Sequence, residues 1–145
     1  MLKKMKITVY SSIQNLDKFG LAEGDTETSE ETSFCTYRSD GDIISVSYKT
    51  QTEGGEVNTS YRLCAGSLTV SRSGAINSLM IFCVGETHTS IYEIPPYKFD
   101  MAVTAKRLCS ELNENGGEID LLYEMNIGDA DKLCRMKIKL SEASA

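Results

Sequence analysis

Alternation of apolar and polar residues with a period of two, renewed after almost every turn signal, is what most limits the folds open to this chain. In the clearest stretch Tyr97, Phe99, Met101, Val103 and Ala105 alternate with Lys98, Asp100, Ala102, Thr104 and Lys106. A second runs through Ile119, Leu121, Tyr123, Met125 and Ile127, opposed by Glu118, Asp120, Glu124 and Asn126. Successive side chains of a strand point to opposite faces, so each stretch has one apolar and one wetted face. Between them Asn113-Glu114-Asn115-Gly116-Gly117 is a run of turn formers, and the two read as a hairpin. The same pattern, less clean, covers 5–13, 33–38, 43–50, 57–64, 68–72, 76–84, 87–94 and about 133–140.

Residues 104–112 have a passable helical composition, but they continue the alternation that precedes them and read better as strand. Pro95-Pro96 breaks regular structure. Short punctuation such as Ser39-Asp40-Gly41, Glu53-Gly54-Gly55 and Gly128-Asp129 leaves no room for helical crossovers, so neighbouring strands must pair antiparallel. An open sheet of about ten strands would expose two edges and an apolar face, and no helix is available to cover it. The sheet must close on itself. Long consecutive strands favour an all-β, closed antiparallel up-and-down β-barrel of about 8–10 strands over a sandwich. At 145 residues one such domain, spanning 1–145, accounts for the chain.

Charge narrows the partners. The net charge is −6, the basic residues are scattered, and the one dense block is acidic: Glu23, Asp25, Glu27, Glu30 and Glu31. Nucleic-acid binders concentrate Lys and Arg on one face, so no nucleic-acid partner is expected. The acidic block predicts a solvated loop at about 20–31, with a docking surface for a basic partner as the alternative. The longest apolar stretch, 79–84, is far short of the ~20 residues of a spanning helix. Lys3, Lys4 and Lys6 precede no apolar secretory segment, so no membrane association is expected either. Cys35, Cys64, Cys83, Cys109 and Cys134 include no C-x-x-C pair, and an odd count without a leader points to reduced thiols in the cytoplasm. With one histidine and no paired cysteines, no metal or other cofactor is expected.

Phosphate-loop, dinucleotide, nucleophile-elbow and zinc-protease signatures are all missing from the sequence. His88 is the one histidine a general base could use, and it reads as an exposed polar residue beside a turn. Asp129-Ala130-Asp131 lacks the further ligands of a cation loop and reads as a hairpin turn.

From Arg72 onward the chain resembles the YwiB family of bacterial proteins. The resemblance rests on Arg72-Ser73-Gly74-Ala75, Tyr92-Glu93-Ile94-Pro95-Pro96-Tyr97, Thr104, Gly117-Glu118-Ile119, Tyr123-Glu124-Met125-Asn126-Ile127-Gly128 and Met136-Lys137-Ile138. Order and spacing match over roughly the last half of the chain. No single motif is specific, but their series is. The family tends to have Gly where Lys98 stands and Asn where Arg135 stands, so a site shaped by either position is altered here. The resemblance implies a calycin-like (lipocalin-like) barrel and supplies no activity or catalytic residue.

Tyr97 and Tyr123 fall on the apolar phase of their strands and are predicted to look inward, with Phe99, Met101 and Met125. Arg72 is in phase with Leu68 and Val70, although it stands before Ser73-Gly74, where it could instead turn outward along the wall. These six residues, Arg72, Tyr97, Phe99, Met101, Tyr123 and Met125, are the candidate lining of a lumen for a small amphipathic or anionic ligand. The alternative is an interaction or regulatory module with a solid core; an enzyme is the weakest reading. An open lumen with polar groups favours the first, a filled one the second. The compartment argument predicts that all five cysteines titrate as free thiols in denatured, unreduced protein from cytosol. A stoichiometric disulfide found by mass spectrometry would overturn it.

Overall fold

Every alternating stretch forms strand in the structure, a computed structural model that describes residues 2–143. The strands are β1 (Leu2–Leu16), β2 (Ala22–Asp40), β3 (Ile43–Thr52), β4 (Gly55–Cys64), β5 (Ser67–Gly74), β6 (Ser78–Cys83), β7 (Thr87–Ile94), β8 (Tyr97–Asn113), β9 (Gly116–Ile127) and β10 (Ala130–Glu142). All neighbours pair antiparallel in one sheet of order β6-β5-β4-β3-β2-β1-β10-β9-β8-β7. Consecutive strands therefore pair as hairpins everywhere except between β6 and β7, and β1 pairs with β10 instead. The two ends of the sheet meet through an isolated antiparallel bridge between Asn77 and Glu93, with both N–H···O distances 2.8 Å. The Gly85 N–H adds a bond to the Ala105 carbonyl at 3.0 Å. The result is a nearly closed up-and-down barrel, as the alternation requires.

Register carries the apolar rows inward. Val9 lies opposite Ile138, which lies opposite Ile119, and all three are buried. Cys134, Tyr123 and Ala105 make a second buried row, and the Phe82 ring packs on Tyr123 with centroids 4.7 Å apart. A bulge between Ala105 and Arg107 on β8 reverses the phase of that strand. Beyond it Leu108 and Leu112, rather than Arg107 or Cys109, pack against the core. The outer wall carries the charges, in cross-strand pairs such as Arg135–Asp120 at 2.9 Å and Lys137–Glu118 at 3.8 Å. Such exposed pairs contribute little each. Apolar inside and charged outside is the reverse of a lipid-spanning barrel. Among the described residues no helix is long and apolar enough to cross a membrane.

The acidic block is not the loop that composition predicts. Glu23 to Glu31 belong to β2, whose register with β1 runs from Leu2↔Arg38 to Leu16↔Ala22, with one irregularity between Ile13 and Asn15. Pairing along a long neighbour outweighs the weak strand preference of Glu and Asp, because their carboxylates remain in water. The true loop is 17–21, where the Asp17 carboxylate accepts hydrogen bonds from the Phe19 and Leu21 N–H groups at 2.8 and 3.0 Å.

The hairpin between β8 and β9 turns through Glu114 and Asn115, because Asn113 pairs with Gly116. Gly117 has φ +132° and lies so close to the Glu111 carbonyl oxygen that no side chain fits. Phe82 is fully buried between β5 and the Tyr123 ring. Phe82→Ala should lower unfolding stability by about 3–5 kcal/mol, as truncated core aromatics do. A urea midpoint unchanged in that variant would refute this account of the core.

Candidate ligand site

The barrel wall is interrupted twice. β2 and β3 pair only from Thr36 to Asp40 against Ile43 to Ser47; beyond Thr36, β2 follows β1 while β3 follows β4, and the wall parts. The second interruption is the seam between β6 and β7. Between the two, β3 to β6 present one inward row in which Tyr48 faces Thr59, Thr59 faces Arg72 and Arg72 faces Ser78. One step deeper the row is Val46, Tyr61, Val70 and Met80, all buried. One step toward the mouth it is Thr50, Val57 and Gly74. Gly74, at φ +110°, is pressed against the Glu56 carbonyl, leaving no room for a Cβ. A cavity of about 570 Å³ opens over this row, lined by Glu31, Thr50, Val57, Thr59, Arg72 and Ile76.

The row is polar where the barrel is otherwise filled with hydrocarbon. The Tyr48 and Tyr61 hydroxyls are 3.2 Å apart and their rings are stacked, with centroids at 6.1 Å. Burial drives both phenols above their ordinary range, so both are neutral at neutral pH. The Glu31 carboxylate pushes the same way, whereas the Arg72 guanidinium favours ionisation at Tyr48, Tyr61 and Tyr123. Arg72 therefore turns into the barrel, and among the described residues it joins no ion pair. Opposite it, Ser78 is 8% exposed, and its hydroxyl oxygen has no hydrogen-bond partner among the described residues. Leaving a buried hydroxyl unsatisfied costs roughly 1–3 kcal/mol. A cation without a counter-ion faces a donor without an acceptor.

The six predicted residues divide. Arg72 points inward, as its phase requires. Tyr97 and Phe99 share the inner face with Ile94 and Tyr92, their respective partners across the β7–β8 hairpin. Their expected burial fails, however: the β9 ladder ends at Met101↔Ile127, so the hairpin tip projects past the wall. Tyr97 is 66% and Phe99 43% exposed. The Asn77–Glu93 bridge sets this apolar tip beside the mouth that holds Arg72 and Ser78. Met101 and Tyr123 are buried and Met125 packs against the core, so these three fill the closed part of the barrel. His88 is not a plain surface residue either. It lies opposite Val103 on the inner face, half-buried, and its Nε2 has no partner among the described residues.

Sequence reasoning missed Tyr48, Tyr61, Thr59, Ser78 and Glu31. The first four stand in phase with Val46, Val57 and Met80, so alternation held the signal. Glu31 could not be found while its segment read as a loop.

These features define a ten-stranded, nearly closed up-and-down barrel with a filled half and one polar mouth. The chain belongs to the family described as Domain of unknown function (DUF1934), which it matches over residues 15–140. It is 28% identical over 86 residues to the Uncharacterized beta-barrel protein YwiB of Bacillus subtilis (strain 168). That alignment takes in 59% of this chain and 61% of the relative, so it spans about three fifths of that protein's length. The crystal structure of the ywiB protein from Bacillus subtilis superposes with a TM-score of 0.81, over 97% of this chain and 94% of that one, at 23% identity. The similarity bears out the family resemblance and the barrel read from the sequence.

Burial gives the site a pH signature. The phenols of Tyr48, Tyr61 and Tyr123 and the Cys35 thiol are all raised, the thiol from 9.0 to about 11. Past pH 9 to 10 the unfolded chain releases these protons and the native chain retains them. Their contribution to stability is therefore complete below that range and lost as pH rises. We expect the melting temperature to fall from about pH 9 upward, with three of the seven tyrosines ionising only as the protein unfolds. Tyrosinate absorbance that reaches its full value while circular dichroism still reports native structure would contradict this.

Proposed function

We propose that this barrel is a binding module for a small amphipathic ligand with an anionic head, seated at the mouth above Arg72. The observation that carries the reading is the pairing of an inward Arg72, free of any ion pair among the described residues, with the unpartnered buried hydroxyl of Ser78. A guanidinium offers a planar fork of donors that fits a carboxylate or phosphate with two bonds, and a hydroxyl completes the set. Tyr92, Ile94, Tyr97 and Phe99 line the inner side of the projecting hairpin and suit an apolar tail. Because the deep barrel is filled, the ligand occupies the mouth and the hairpin rather than the full lumen. A calycin-like architecture agrees with this reading without choosing a ligand. A cytoplasmic setting belongs to it, on the spacing of the five cysteines.

One observation favours a non-enzymatic interaction module as a second reading. From Ala22 to Cys35, β2 pairs only with β1, leaving a free backbone edge that another extended chain could join.

Arg72→Ala should weaken binding of a fluorescent fatty acid by about 1.5–3 kcal/mol, roughly ten- to a hundredfold, while the circular dichroism stays that of the wild type. Native mass spectrometry of protein taken directly from cells should show an adduct of small mass. No adduct, together with equal fatty-acid binding by both proteins, would remove this reading in favour of the interaction module.

A further inference from the structure

The cavity above Arg72 carries a second charge of opposite sign, and the two are not paired. Glu31 lies opposite Val9, whose side chain is buried, so register turns Glu31 to the inner face of β2. It lines the same cavity as Arg72. Both charges are felt at the Tyr48 and Tyr61 hydroxyls, with opposite effect. They reach that hydroxyl pair from the two sides of the parting between β2 and β3. Like Arg72, Glu31 joins no ion pair among the described residues, so the two lie beyond the 4.0 Å of a salt bridge.

We propose that the ligand's head is zwitterionic, with an acidic group on Arg72 and an ammonium or quaternary amine facing Glu31; this rests on the anionic-head reading above and narrows it. A bare anion on Arg72 would sit in the repulsive field of Glu31. A bare cation on Glu31 would meet Arg72. A head with both signs offsets each; part-burial of Arg72 strengthens the attraction there, while the exposed Glu31 acts at the rim of the cavity. The Ser78 hydroxyl and the Tyr48–Tyr61 pair add neutral donors that hold an acidic oxygen without changing the charge balance. Free amino-acid-like molecules and the heads of single-chain amphiphiles share this chemistry.

Isothermal titration calorimetry separates the possibilities with an alkylphosphocholine, an alkyl phosphate and an alkyltrimethylammonium of equal chain length, all below their critical micelle concentrations, and with free phosphocholine. Wild-type protein should bind the alkylphosphocholine about tenfold tighter than the alkyl phosphate, and the alkyltrimethylammonium weakest. Glu31→Gln should bring the two phosphate-bearing probes within about twofold of each other, whereas Glu30→Gln, on the outer face opposite the exposed Tyr10, should leave the preference intact. Arg72→Ala should weaken both phosphate-bearing probes. Alkyl phosphate binding as tightly as alkylphosphocholine in the wild type would overturn the zwitterion and leave the anionic site standing. No binding of any probe would overturn both. Free phosphocholine binding as tightly as its alkylated form would support the zwitterionic head and overturn the apolar tail.

Discussion

The two ends of the sheet, β6 and β7, are neighbours in sequence, joined only by residues 84–86, and this tether governs the architecture. Strands in a sheet lie about 4.8 Å apart, so β6 and β7 would stand some 43 Å from each other if the ten strands lay flat. A three-residue connection reaches at most about 14 Å. The sheet has to curl until its ends meet. Closure then supplies what composition cannot, since no helix covers the apolar face and the barrel buries it against itself. Phe82 on β6 packs on Tyr123 on β9, across that closure.

Closure by a tether is weaker than closure by a ladder. β1 and β10 exchange bonds along most of their lengths, whereas β6 and β7 share one isolated bridge. The opening between β2 and β3 lies on the other side of the same group of strands, β3 to β6. A row held between two such interruptions opens to water at Arg72, so it can retain that cation beside the buried Thr59 and Ser78, where rows behind complete ladders hold Ile119, Leu121 and Ile138. Burying Arg72 fully without a counter-charge would cost several kcal/mol. A mouth open on one side lowers that cost and leaves the charge available.

How much of this was legible depended on which side of a strand carried the signal. Alternation gave the β8–β9 hairpin and the barrel, because apolar residues on one face must be covered; it put Arg72 in the inward phase but left an outward turn before Ser73-Gly74 open to it. It failed at β2, where Glu23 to Glu31 look like a solvated loop in any local window and become strand only by pairing with β1. Phase was right for Tyr97 and Phe99, but phase says nothing about where the neighbouring strand stops, and β9 stops short of them. The bulge after Ala105 was likewise invisible, since Lys106 carries no glycine or proline to mark it. His88 shows the converse, a polar residue near a turn whose partner Val103 fixes it inward. Of the site, Arg72 and the exposed aromatics could be named from the chain, while the Tyr48–Tyr61 pair and Ser78 needed the rows to be assembled.

The acidity of β2 has two consequences that follow from one register. Inward, Glu31 adds a carboxylate to the cavity. Along the strand, Glu27, Glu30 and Glu31 charge an edge that would otherwise invite pairing by any extended chain. A second copy of this chain, with its net charge of −6, is repelled from that edge. The edge thus discourages self-association while the parting beside it stays unfilled. If β3 paired with β2 along its whole length, the opening over Thr59 and Arg72 would close and bury an unpaired guanidinium. The incomplete ladder and the polar row therefore require each other.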